Sequence, residues 1–128
     1  MMAPMDGAAV LAWCRRQPGA TEETPFGPDT LVFKVGGRMF AAVAAVDPDS
    51  VTLKADPDLA EFLRGQYPGI RPGYHMNKRH WNTLDLDGSL RGPLVSELVR
   101  HSYDLVVAAL PRRVRAQLLH RGGPNKVL

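Results

Sequence analysis

Eight consecutive residues, Tyr74-His75-Met76-Asn77-Lys78-Arg79-His80-Trp81, bring together side chains suited to contact with nucleic acid. Lys78 and Arg79 can neutralise phosphates and Asn77 can pair with an adenine edge. Tyr74, His75, His80 and Trp81 offer ring faces on which bases stack. The same run also makes an ordinary capped turn, in which Asn77 bonds backbone, Trp81 anchors a strand and both cations are merely solvated. A second basic group, Arg112, Arg113 and Arg115, falls in the first turn of a predicted last helix. Cations there oppose the helix macrodipole by a few tenths to about 1 kcal/mol each. An anionic partner accounts for them, and so does the helix-forming tendency of arginine or a reach toward Asp104.

No other group of residues points to catalysis or to a metal. His75 and His80 are five apart, with His101 and His120 further on, and neither an HExxH pattern nor a cysteine pair accompanies them. Cys14 is the sole cysteine and falls on the apolar face of a predicted helix, where thiols are usually inert. Ser96 and Ser102 lack a nucleophile elbow, and the pairs Gly36-Gly37 and Gly122-Gly123 match neither a P-loop nor a dinucleotide fingerprint. The expectation is a non-enzymatic domain without catalytic residues, cofactor or metal site.

The chain has 128 residues and a net charge of +3, with 45% hydrophobic and 23% charged residues, the composition of one ordinary globular domain. Residues 1–70 hold six Lys/Arg against nine Asp/Glu, and residues 71–128 hold ten against four, so the two segments carry −3 and +6. That polarity favours an anionic partner for the C-terminal half. No basic leader or apolar run of membrane-spanning length is present, which makes the expected setting the reducing cytoplasm, with no membrane contact. A monomer is expected, with one domain over residues 5–120 and flexible ends at 1–4 and 121–128.

The elements that must hold these residues follow from periodicity. Asp6 is a plausible N-cap, followed by Val10, Trp13 and Cys14 on one helix face. Residues Thr21 to Asp29 read as a loop or irregular strand. Leu31, Phe33 and Val35 alternate with Thr30, Val32 and Lys34; Gly36-Gly37 turns the chain, and Arg38 to Val46 returns as a central strand. After the turn Asp47-Pro48-Asp49-Ser50, Val51, Leu53 and Ala55 complete a three-stranded meander. Asp56-Pro57 opens a short helix with Leu59, Phe62 and Leu63 inward and Gly65 at its end. Pro68-Gly69 and Pro72-Gly73 frame a loop, and Trp81 to Asp87 reads as a strand. A long helix starting between Ser89 and Pro93 carries the stripe Leu94, Leu98, His101, Leu105, and Pro111 begins a last helix ending near His120.

The order α-βββ-α-β-α-α predicts an α+β fold, an antiparallel β-sheet with helices packed mainly on one face. Strand parity then assigns the other face. With Leu31, Phe33, Val35, Val51, Leu53, Leu84 and Leu86 toward the helices, Thr30, Lys34, Thr52, Lys54, Trp81 and Thr83 share the opposite side, together with Asp85. Lys34 and Lys54 therefore join Trp81 as candidate contact residues.

The runs FGPDTLVFKVGGRMFA (Phe26 to Ala41), VTLKADPDLAEFLRGQYPGI (Val51 to Ile70), PGYHMNKRHWNTLDLDGSL (Pro72 to Leu90) and HSYDLVVAALP (His101 to Pro111) resemble the MmcQ/YjbR family. The likeness runs from Met5 to about Val114; the tail from Arg112 onward is less typical. The resemblance implies a double-wing architecture related to the frataxin-like (CyaY-like) fold and a DNA-binding role that rests largely on architecture. It supplies no catalytic set. Frataxin-like iron binding would need an acidic ridge, and the first helix here offers only Asp6. DNA is thus the expected partner, through Tyr74, His75, Asn77, Lys78, Arg79, His80, Trp81, Lys34, Lys54, Arg112 and Arg113. The alternative is an accessory domain that binds an anionic small molecule or an acidic protein.

Overall fold

Gly36 and Gly37 both take positive φ, 59° and 83°, the conformation a two-residue hairpin requires and side chains resist. They join β2 (Thr30–Val35) to β3 (Arg38–Ala44), and β4 (Ser50–Lys54) pairs antiparallel with β3 to complete the meander. The computed structural model describes residues 5–46, 48–73 and 76–120, without the side chains of 119 and 120. The Asp47 position of the second turn and both predicted flexible ends lie outside the described residues.

Among the described residues there are six strands and four helices, an α+β fold with one antiparallel sheet in the order β1-β2-β3-β4-β6-β5. The remaining strands are β1 (Thr21–Glu23), β5 (Ile70–Pro72) and β6 (Trp81–Asp85). β1 falls within Thr21 to Asp29, the stretch expected as a loop or irregular strand, whereas periodicity does not detect β5, because three residues cannot show an alternation. β1 is exposed throughout, β5 ends in a proline, and each exists because its neighbour offers an open ladder.

The helices are α1 (Gly7–Arg15), α2 (Pro57–Gln66), α3 (Gly92–Ala108) and α4 (Arg112–His120). Asp6 caps α1, its carboxylate accepting the Ala9 amide at 2.9 Å. In α2, Pro57 occupies the first turn but Asp56 makes no side-chain cap, and the helix runs one residue past Gly65. Ala60 and Leu63 form its buried face, whereas Phe62, expected inward, is 60% exposed. At 100° per residue Phe62 stands well off the Ala60–Leu63 line, so both cannot face the core. The stripe of α3 is also rotated by about one residue from expectation. Val95, Leu98, Val99, Ser102, Tyr103 and Val106 are buried, while Leu94, His101 and Leu105 lie at its half-buried flanks.

The core lies between α3 and the sheet. Phe40 meets Tyr103 edge to face at 5.4 Å and Phe33 at 6.3 Å, and the Tyr103 hydroxyl donates to the Pro18 carbonyl. Phe40 is inward because β3 carries a bulge: Phe33 pairs with Ala41 and Lys34 with Met39, leaving Phe40 as the extra residue. The buried Ser102 closes the gap this makes in the ladder. Its hydroxyl donates to the Phe40 carbonyl at 2.6 Å and accepts the Lys54 amide at 2.9 Å. Among the described residues no helix is long and apolar enough to cross a membrane.

Two measurements test this packing. Ser102→Ala strands a buried carbonyl and an amide, and the expected loss is about 1–3 kcal/mol in urea unfolding; a loss within a few tenths would show the bridge to be dispensable. Burial pushes the Cys14 thiol from its ordinary 9.0 up to about 12, with the Arg15 charge opposing the rise. The folded state therefore holds this proton more tightly than the unfolded chain. Its stabilising contribution is complete below about pH 9 and is lost as pH climbs toward 12. A Cys14→Ala variant is expected to show a flatter alkaline limb of stability over that window.

Candidate functional site

Backbone hydrogen bonds, one Asn77 side-chain bond and a clamp from α2 hold the described residues of the stretch from Gly73 to Trp81. The Gly73 amide donates to the Trp81 carbonyl at 2.8 Å, and the Asn77 carbonyl accepts the amides of both His80 and Trp81 at 3.0 Å. The Asn77 side-chain oxygen accepts the Arg79 amide at 3.0 Å, an Asx turn that keeps this oxygen within the loop. Gly73 is buried, and a Cβ on it would lie 2.9 Å from the Trp81 Cβ, closer than side chains pack.

A guanidinium ties this loop to α2. Arg64 donates from one nitrogen to the Lys78 carbonyl at 3.0 Å and to the Asn82 side-chain oxygen at 2.8 Å. Asn82, 2% exposed on the helix side of β6, donates in turn to the Ala60 carbonyl at 3.2 Å. The Ala55 amide donates to the His80 carbonyl at 2.8 Å and closes the loop against the end of β4.

The strand register places Thr30, Lys34, Thr52, Lys54, Trp81 and Thr83 on the face away from the helices. Lys54 stands directly opposite Trp81, and Thr52 opposite both Ala42 and Thr83. This face is not uniformly wet. Val32 and Thr83 share its parity yet are 1% and 6% exposed, and the Thr52 and Thr83 hydroxyls bond each other at 2.9 Å.

The predicted contact residues separate into groups. Lys54 and Trp81 are half-buried neighbours at the loop end of the sheet, His80 is half-buried beside them, and Asn77, Lys78 and Arg79 are exposed. Among the described residues Lys54, Lys78 and Arg79 meet no carboxylate. Lys34 is on the same face but pairs with Glu23 at 3.1 Å. Arg112 and Arg113 are exposed on α4, whose Val114 and Leu118 pack against Gly36 and Gly19, so they sit at the β2–β3 hairpin and not beside the loop. Tyr74 and His75 lie outside the described residues.

Sequence reasoning misses a groove of about 560 Å³ on the open face. Strands β2 to β4 line it with Ala42, Val43 and Ala44 and the hydroxyl residues Thr30, Ser50 and Thr52, and Phe26 and Met76 line it from two different loops. Phe26 is 73% exposed. The signal available was the pair of alanines at the outward parity of β3, which leaves the middle of the sheet low.

The YjbR family model matches residues 15–105. This chain belongs to the YjbR family. It is 39% identical over 111 residues to the uncharacterised YjbR protein of Escherichia coli K12, covering 86% of this chain and 94% of that protein. It is 38% identical over 90 residues to YbdF of Escherichia coli O157:H7, covering 70% and 74%. The crystal structure of the Deinococcus radiodurans protein DR2400 superposes with a TM-score of 0.85 at 38% identity, over 99% of this chain and 96% of that one. A crystal structure from Pseudomonas syringae gives 0.69 at 27% identity, over 80% and 99%. The α+β architecture is thus shared with both solved structures.

The clamp on the loop is testable in this family setting. Arg64→Ala leaves the buried Asn82 oxygen without its donor, and the His80 and Trp81 amides are expected to exchange about tenfold faster relative to those of β3. Uniform acceleration across the sheet would instead show Arg64 to be a global stabiliser only.

Proposed function

We propose that this protein is a non-enzymatic, DNA-associated domain of the cytoplasm, acting as a monomer and holding phosphates through Lys54, Lys78 and Arg79. One observation carries the reading. The register sets Lys54 beside Trp81 at the end of the sheet where the Lys78-Arg79 loop emerges, and among the described residues none of these cations is neutralised by a carboxylate. Cations beside an aromatic face are the arrangement by which backbone and base are held together. Lys34, already paired with Glu23, and the Arg112-Arg113 pair, at the hairpin, are secondary contacts in this reading.

Three phosphate contacts give a defined salt response. The logarithm of the DNA association constant is expected to fall against the logarithm of salt concentration with a slope of about −2 to −3. The double variant Lys78→Glu, Arg79→Glu is expected to bind more weakly and to bring the slope to about −1. Fluorescence anisotropy at several salt concentrations measures both. Unchanged binding by the variant overturns the reading. Thermal stabilisation by an anionic metabolite and not by DNA moves it to an accessory domain for a small ligand.

A further inference from the structure

We propose that the groove on the open sheet face receives an unpaired base, so that the preferred ligand is single-stranded DNA and not the closed duplex. This rests on the phosphate-binding reading above and names the ligand class that reading leaves open.

The floor of the groove is Ala42 and Ala44, whose methyl groups are low enough for a planar ring to lie close to the sheet. Its walls are a phenyl ring and a thioether, Phe26 and Met76, and both pack favourably on the face of an aromatic ring. The hydroxyls of Thr30 and Ser50 can each donate or accept, as the mixed edge of a base requires. A Phe26 that is 73% exposed over an apolar floor is an unpartnered stacking surface.

Charge decides between occupants. Lys54 follows Thr52, a groove residue, by two positions on the same strand and the same face, roughly 7 Å away. A strand with one base in the groove can therefore place its next phosphates on Lys54 and on the Lys78-Arg79 loop. An acyl chain would use the floor and leave the cations idle. An acidic peptide would use the cations and leave the ring walls idle. A closed duplex keeps its bases stacked and paired, so it reaches only the cations. The groove is partly open to solvent, so a polymer laid across the sheet can reach it.

The experiment compares a labelled oligothymidylate, the same strand made abasic, a duplex and thymidine monophosphate by anisotropy and competition. Its variants are Phe26→Ala with Met76→Ala, which removes the walls, and Ala44→Leu, which fills the groove. Thermal melting confirms that each folds; the wall residues are outside the core, so the wall variant keeps the test available if Ala44→Leu does not fold. Stacking of one base predicts about tenfold weaker oligothymidylate binding in the variants, with duplex and abasic binding unchanged. The methyl resonances of Ala42 and Ala44 are expected to shift with oligothymidylate and not with duplex. Oligothymidylate binding unchanged by wall removal, or an abasic strand bound as tightly as the intact one, overturns the groove assignment. If Lys78→Glu, Arg79→Glu still weakens every ligand in that case, the phosphate surface stands alone. If that variant changes nothing, both readings fall. Monophosphate bound as tightly as the oligothymidylate replaces the polymer by a free nucleotide.

Discussion

A single buried amide holds the loop end of the sheet together: Asn82 sits on the helix side of β6 and cannot be left unsatisfied there. Its donor goes to the Ala60 carbonyl of α2, and its acceptor takes a hydrogen from Arg64, which also holds the Lys78 carbonyl. An unpaired amide at 2% exposure would cost about 1–3 kcal/mol, so strand, helix and loop are found in one arrangement. The charged end of Lys78 is left to solvent because its backbone, not its side chain, is the part that is tied. The Lys78 cation is thus carried on a backbone held by α2.

A second polar bridge does the same for Lys54. The bulge at Phe40 turns an aromatic ring into the core but breaks the ladder between β3 and β4 at the position where Lys54 needs a partner. Ser102 supplies it from α3, its hydroxyl bridging the Phe40 carbonyl and the Lys54 amide. With the Lys54 amide held inward, alternation along β4 sends its side chain to the open face, opposite Trp81. Asn82 and Ser102 both reach these bonds from the covered side of the sheet, while the Lys54 side chain belongs to the bare side.

Much of this was legible because much of it is local. The Gly36-Gly37 hairpin, the Asp6 cap and the parity that sets Lys34, Lys54 and Trp81 on one face depend on residues close in sequence. The three-residue edge strand β5 was not legible, since pairing and not pattern creates it. Phe62 and the rotated α3 stripe show a different limit: hydrophobicity counts candidates for a buried face, and packing chooses among them. The groove needed tertiary structure, because Phe26 and Met76 come from loops fifty residues apart by position and line it together only once the sheet has formed. The Arg64–Asn82 contact, 18 residues apart, is likewise invisible to any short motif.

The charge polarity of the chain illustrates why position outweighs count. The C-terminal half carries the excess of +6, yet Arg71 is paired with Asp85 at 2.6 Å and Arg100 with Asp104 at 3.0 Å. Arg112 and Arg113 stand at the β2–β3 hairpin, and β4 separates that hairpin from β6, roughly 10 Å of sheet at the usual strand spacing. Since exposed charges more than about 8–10 Å apart are largely screened at physiological salt, these arginines add little to the field at the loop. What remains there among the described residues is Lys54 and Arg64, from the half of the chain whose net charge is negative, with Lys78 and Arg79. The cationic end of the sheet is therefore assembled by the register across both halves, and a segment-by-segment charge count would have left out Lys54, which stands opposite Trp81.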